Sequence, residues 1–288
     1  MADMHGKTVL ITGANQGIGK ESALALGKMG AKLVLVCRSE EKGRAAVKEI
    51  EAAGAKGVEL LIGDVSKQAD IRRVASEFLA KHDRLDVLLN NAGVLVTSRK
   101  ETADGIEETF AINHLGYFLL TNLLLDVLKK SAPARIVNVS SEAHRSAKVK
   151  WDDIQLKDGW SQFAAYGQSK LCNILFSREL AKRLEGTGVT ANCLHPGVIA
   201  SGFGQTYGGF LSFVIKLAHP FMISTEKGAR TQVYLASSPE VDGVTGKYFD
   251  KCKERTPNKV AQDPDGPARL WAISEELTGL SAAKVAAA

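Results

Sequence analysis

The apolar run Val9-Leu10-Ile11 passes directly into Thr12-Gly13-Ala14-Asn15-Gln16-Gly17-Ile18-Gly19, and a helical pattern follows from Glu21 to Met29. Strand, glycine-rich turn and helix in immediate succession constrain the chain to open with a β-α unit whose turn faces a ligand. Gly13, Gly17 and Gly19 permit a tight turn and a close approach of backbone to an anion, with Asn15, Gln16 and Ile18 between them. The N–H groups at the start of the helix then point at that anion, and a pyrophosphate suits the arrangement in size and charge.

The same alternation continues along the chain. Strand-like apolar runs recur at 32–37, 58–62, 87–89, 135–139, 189–194 and 245–249, and helical patterns cover 40–53, 68–81, 105–130, 163–185 and 226–237. Each helical stretch is long enough to cross back over a sheet with the usual right hand. The pattern predicts an α/β fold: one doubly wound parallel sheet of the Rossmann type with helices on both faces, spanning 1–288 as a single domain. The Ala-rich end, 282–288, reads as a disordered tail.

Composition narrows the partners. A chain of 288 residues that is 45% hydrophobic and 24% charged can bury a large core. Its net charge of +5 is spread among acids, as in Arg38-Ser39-Glu40-Glu41-Lys42-Gly43-Arg44, so no nucleic-acid surface is expected. Cys37, Cys172, Cys193 and Cys252 are scattered without metal-binding spacing, which favours reduced thiols, no metal and a cytoplasmic protein. No segment reaches the roughly 18 apolar residues of a membrane span, and none before Lys7 reads as a signal peptide.

Residues just after the strands are the candidates for chemistry, because an open α/β sheet holds ligands outside its strand C-termini. After the second strand, where an acid would receive the ribose hydroxyls of NAD, stands Cys37 followed by Arg38. A neutral residue there removes repulsion toward a 2′-phosphate, and Arg38 with Lys42 can bind one, so NADP(H) is the expected cofactor. Asp64-Val65 follows the third strand, Asp64 being either an adenine acceptor or the N-cap of the next helix. Asn91, Ala92 and Gly93 follow the fourth strand, where they tie loops together or admit cofactor to the backbone. Tyr166 and Lys170 lie four residues apart on one helix face, so the ammonium can favour the phenolate and bring the phenol toward a useful proton-transfer range.

TGANQGIG, Asp64-Val65, NNAG, Asn113 in INHLG, VNVSS, YGQSK and HPGVIAS stand in an order that resembles the short-chain dehydrogenase/reductase family over nearly the whole chain. INHLGYFLLTNLL, ARIVNVSSEAH, SKLCNILFSRELAKRL and ARLWAISEELTGL resemble its retinol dehydrogenase and WW-domain oxidoreductase branch. The resemblance implies a tetrad of Asn113, Ser141, Tyr166 and Lys170, with Ser141 taken over Ser140. Tyr166 would exchange the proton with the carbonyl oxygen, Ser141 would hydrogen-bond that oxygen, Lys170 would hold the nicotinamide ribose, and Asn113 would anchor a water. Read alone, Ser141 is also a strand-end turn residue and Asn113 a locally bonded helix residue. The family binds the nicotinamide amide through Pro196, Gly197, Ile199 and Ser201, whereas His195 reads as a packing or capping residue. It also implies that two long helices pair in a homodimer or homotetramer, although they can equally just cover the sheet.

The spacing of 25 positions from Ser141 to Tyr166 is longer than in many members and is shared with the retinol dehydrogenase branch. It brings Trp151, Trp160 and Phe163, which either line the substrate entrance or pack the insertion down. The stretch 202–223, rich in Phe with paired glycines at Gly208-Gly209, reads as a substrate lid, with a packed helix or a membrane-surface helix as rivals. The N-terminal hydrophobic anchor of many branch members is absent from this sequence, which weakens transfer of a retinoid substrate. The expected activity is NADP(H)-dependent interconversion of a small hydrophobic aldehyde or ketone and its alcohol. An NAD-linked alcohol dehydrogenase and a non-catalytic dinucleotide-binding regulator are the alternatives.

Overall fold

The computed structural model describes residues 2–197 and 223–280. Seven strands run parallel: β1 (Thr8–Thr12), β2 (Lys32–Cys37), β3 (Glu59–Ile62), β4 (Val87–Asn90), β5 (Ala134–Val139), β6 (Val189–His195) and β7 (Tyr248–Asp250). β8 (Lys253–Arg255) pairs antiparallel with β7 at one edge, and the sheet order is β3-β2-β1-β4-β5-β6-β7-β8. The order reverses between β1 and β4, and the crevice of such a sheet opens there.

Alternate residues of the central strands feed two cores, as the two-residue period of a strand requires. Leu10, Val34, Val36 and Leu88 join one core with α3 (Gln68–Lys81), α5 (Gly116–Leu123), α7 (Gln162–Arg183) and α9 (Gly266–Thr278). Val9, Ile11, Leu33, Leu35 and Leu89 join the other with α1 (Gly17–Lys28), α2 (Glu40–Ala52) and α8 (Thr225–Ser237). A sheet covered on both faces explains why these strands are continuously apolar.

Three expectations are corrected. The helix expected over 105–130 is divided into α4 (Glu108–Phe110), a π-helical turn at Ala111–Leu115, α5, and α6 (Leu125–Lys130) after a break at Leu124. The strand expected at 245–249 begins later, at Tyr248, because Gly246 at φ +73° turns the chain first. Asp64 does not cap α3: Lys67 holds that position, and Asp104 from a distant loop accepts the Gln68 N–H at 2.9 Å.

Two elements were not foreseen. β8 reads Lys-Glu-Arg and is fully exposed, so it carries no apolar signal, and its hairpin turns on Lys251 and Cys252 at φ +51° and +59° without a glycine. α9 lies across the outer side of α5 and α7, where the Trp271 ring centroid sits 4.9 Å from Phe118 and 5.9 Å from Phe176. The Arg183 guanidinium covers Trp271 at 4.2 Å, and Ser274 meets His114 at 2.8 Å. Part of the face on which two copies were expected to pair is thereby covered within the chain.

At the N-terminal end of the sheet the Asp86 carboxylate, 2% exposed, accepts hydrogen bonds from Lys7, Arg84 and the Thr8 N–H at 2.5–3.0 Å. Burial pushes its pKa up, but the bonds from Arg84, Thr8 and Lys7 outweigh it and hold the group below the usual carboxylate range. Its contribution is therefore present above the unfolded-state pKa and lost as pH falls through the lower folded-state value. Asp86→Asn is expected to cost roughly 1.5–3 kcal/mol at neutral pH, with the gap from wild type closing on acidification. Urea unfolding of both proteins across the acid range checks this, and a gap that stays constant with pH would count against it.

Candidate active site

The glycine turn is held open from below. Gln16 stands at the N-cap of α1 without a side-chain capping bond and no acid lies in the first turn, which leaves the helix N-terminus free for an anion. Gly13 sits at φ +68°, and a Cβ on Gly19 would come within 2.4 Å of Asn91 Nδ2 and 2.5 Å of the Gly13 carbonyl. Only glycine fits there. Asn91 Nδ2 donates to the Thr12 and Gly13 carbonyls at 2.9 and 3.2 Å, and Thr12 Oγ1 accepts from the Asn91 and Ala92 N–H groups at 3.0 Å. Behind Asn91, Gln232 donates to its Oδ1 at 3.1 Å while accepting from Ser22 at 2.6 Å. Asn91 thus ties the turn to the β4 loop and to α8, and nothing in the sequence around Gln232 signals its part in this.

At the ends of β2 and β3 the adenosine-side residues meet. Cys37 is buried, and burial pushes its thiol up to about 11, so it stays neutral. The Arg38 side chain is 73% exposed, with its Nη1 4.0 Å from Asp64 Oδ2. Lys42 lies in the first turn of α2. Asp64 Oδ1 accepts the Ser66 N–H at 3.0 Å, which shapes the loop without capping the helix. Val36, Asp64, Val65, Ile71 and Leu120 line a small cleft here. Asp64 and Val65 were singled out from the sequence, whereas Ile71 and Leu120 were not, because their apolar character reads only as core.

The π turn sets the reacting side. A π turn inserts one extra residue into the helical path, and here it lies where Asn113 is completely buried. Asn113 Oδ1 accepts the Val94 N–H at 2.8 Å, while its Nδ2 donates to the Val94 carbonyl at 2.9 Å and to Ser169 Oγ at 3.0 Å. The side-chain amide joins the loop after Gly93 to α7 through partners 19 and 56 residues away, so its bonds are not the local helix bonds of the alternative reading. The Lys170 ammonium is buried, donates to the Val139 carbonyl at 3.0 Å, and lies 5.7 Å from the Tyr166 ring centroid. Burial lowers its pKa to about 7. A Cβ on Gly93 would approach both Lys170 Nζ and Asn113 Oδ1 to 3.3 Å, so Gly93 joins these groups in one place. Tyr166 is half-buried on the same stripe of α7.

The adjacent serines at the end of β5 divide. Ser140 is buried and its hydroxyl donates to the Lys170 carbonyl at 2.7 Å. Ser141 is half-buried, with its Oγ accepting the Ala143 N–H at 3.2 Å, which leaves its proton available to another acceptor. His195 Nδ1 accepts the Glu142 N–H at 3.2 Å, and burial holds its pKa below the ordinary imidazole value, as suits a packing residue. In the insertion, Trp160 Nε1 donates to the buried Glu107 at 3.2 Å and Trp151 packs under Arg269 at 4.8 Å, so both hold the segment down. Phe163 is 62% exposed and stands three residues before Tyr166, on its side of the helix. Pro196 and Gly197 follow β6 directly; Ile199, Ser201, most of the expected lid and the tail 282–288 lie outside the described residues.

The cradle therefore fits a dinucleotide on its own observations: an uncapped helix start, a turn that leaves no room for a Cβ at Gly13 or Gly19, and a buried ammonium at the far end. Comparison with known proteins agrees. The description "short chain dehydrogenase" matches residues 7–208. Retinol dehydrogenase 12 of Mus musculus is 45% identical over 277 residues, covering 96% of this chain and 87% of its own. Retinol dehydrogenase 14 of Homo sapiens is 43% identical over 296 residues, covering 96% and 88%. Among solved structures, an uncharacterized protein from Mycobacterium Paratuberculosis superposes with a TM-score of 0.78 at 32% identity over 96% of both chains. Pseudomonas aeruginosa RhlG, in an active-site complex with NADP, gives 0.71 at 27% identity over 86% of this chain and 95% of its own.

Proposed function

The chain belongs to the short-chain dehydrogenases of the retinol dehydrogenase branch, and from that premise we propose that it uses NADP(H) to interconvert a bulky hydrophobic aldehyde or ketone and its alcohol. The observation that carries this reading is the gathering of Gly93, Asn113 and the buried Lys170 beside Tyr166 at the C-terminal ends of the strands. Bound dinucleotide supplies or accepts the hydride. Tyr166 gives its phenolic proton to the carbonyl oxygen in the reductive direction and takes it back in the oxidative one. Ser141 donates a hydrogen bond to the same oxygen where negative charge develops. The Lys170 ammonium favours the phenolate and offers its remaining donors to ribose hydroxyls. Asn113 fixes the loop after Gly93 against α7, which keeps the cofactor side and the proton side in register.

For the cofactor, the exposed Arg38 beside the neutral Cys37, with Lys42 in the first turn of α2, supports a 2′-phosphate at the end of β2. Three buried free cysteines, Cys37, Cys172 and Cys193, suit the cytoplasm as the working compartment. Among the described residues no helix is long and apolar enough to cross a membrane. Retinol dehydrogenases 12 and 14 support a long apolar carbonyl compound such as retinal as the substrate class. Phe163, an exposed aromatic on the Tyr166 side of α7, is placed to meet such a molecule.

The test is initial-rate reduction of retinal, other long-chain aldehydes and acetaldehyde with NADPH. A long apolar aldehyde is expected to exceed acetaldehyde in kcat/KM by more than roughly tenfold, since two buried methylenes at about 0.8 kcal/mol each already supply that factor. Equal values would exclude apolar recognition. An NAD-linked enzyme of the same fold would instead show its larger kcat/KM with NAD⁺ and an alcohol.

A further inference from the structure

Lys170 has a second aromatic neighbour. Its Nζ lies 5.6 Å from the ring centroid of Tyr117, as close as it lies to Tyr166 at 5.7 Å, and both distances fall within the range of cation–π attraction. Tyr117 stands four residues after Asn113, is 2% exposed, and its Oη has no hydrogen-bond partner among the described residues. It also couples electrostatically to Tyr166. The other groups around the ammonium carry little charge. Val139 of β5 offers its carbonyl, and Asn173 of α7 donates to that same carbonyl at 3.0 Å. Burial alone accounts for the lowering of Lys170 to about 7, with no carboxylate among the described residues offsetting it.

We propose that Tyr117 is a positioning residue for the reaction: its ring forms the second aromatic wall of the Lys170 ammonium and sets, against burial, how much of Lys170 stays protonated at neutral pH. This rests on the oxidoreductase reading above for its consequence, since the protonated lysine is the form that favours the Tyr166 phenolate. Near its midpoint the lysine is sensitive, because a shift of about one pKa unit changes the protonation constant tenfold. The hydroxyl of Tyr117 contributes nothing to this function and, being buried without a partner, weighs against the fold. Ring and hydroxyl therefore separate cleanly by substitution.

The test follows the lysine side chains of the full-length protein by NMR after ¹³C labelling at Cε, alone and saturated with NADP⁺, with Lys170→Arg identifying the resonance. Tyr117→Leu is expected to lower the Lys170 midpoint by about one unit, the scale of a desolvated cation–π contact. Tyr117→Phe, which keeps the ring, is expected to leave the midpoint in place and to melt at or above the wild-type temperature. Tyr117→Met reads the same question should the leucine variant not fold. A midpoint that stays or rises in the ring-less variants overturns the proposal, as does a phenylalanine variant that shifts as far as they do. Turnover separates the two readings: an unmoved titration in a protein with Tyr166-dependent activity defeats this inference alone, whereas a moved titration without such activity defeats the oxidoreductase reading.

Discussion

Tyr166→Phe is expected to lower kcat by about 10² to 10⁴, the usual contribution of a positioned general acid, with little change in melting temperature or in the dissociation constant of NADPH. The substitution deletes one oxygen and its proton and leaves the ring that stands beside Lys170. Ser141 still polarises a bound carbonyl, so a residual rate above that of free solution is expected, but its hydroxyl is a far weaker acid than the lost phenol and does not replace it as proton donor to the new alkoxide. Single-turnover reduction with pre-bound NADPH reads the chemical step directly. A variant that keeps more than about a third of the wild-type rate would remove Tyr166 from the acid–base role.

Arg38→Ala should weaken NADPH by about ten- to a hundredfold while leaving NADH nearly unchanged, the loss expected for one charge-assisted phosphate contact. The guanidinium stands mostly in solvent, with the Asp64 carboxylate 4.0 Å away, so its removal should disturb little packing. In its absence Asp64 lies unneutralised beside the phosphate position, which adds repulsion toward NADPH in particular. The effect should shrink with added salt. Fluorescence titration with both nucleotides checks the prediction, and an equal loss for each would place Arg38 outside any phosphate contact.

The placement of those two residues in the fold was legible in the sequence because the signals around them are local: a glycine turn after an apolar run, a neutral residue and an arginine ending the next strand, a tyrosine and lysine one helical turn apart. The parallel sheet was legible for the same reason, most of its strands carrying a run of apolar residues between amphipathic helices. What escaped depends on partners far away in the chain. The π turn exists where Asn113 bonds to Val94, 19 residues earlier, and no helical periodicity encodes that. Gln232 reaches Asn91 across 141 residues, and the cap of α3 comes from Asp104 rather than from its own first turn. Tyr117 carries no signal of its own within the run INHLGYFLLTNLL, since only the fold brings Lys170 over its ring. β8 is polar throughout and is a strand only because β7 offers it an edge.

The position of α9 gives the order of synthesis a meaning. The helices bearing Asn113 and Tyr166 are braced from behind by Trp271 and Ser274, while every group assigned to the reaction precedes them in the chain. As the protein leaves the ribosome, the reacting groups emerge before their support, so the pocket takes its final form only after α9 has followed them out. A message cut short ahead of Gly266 would encode the whole chemistry and none of the brace. Loss of function can therefore be written into a stretch of sequence that touches neither substrate nor cofactor.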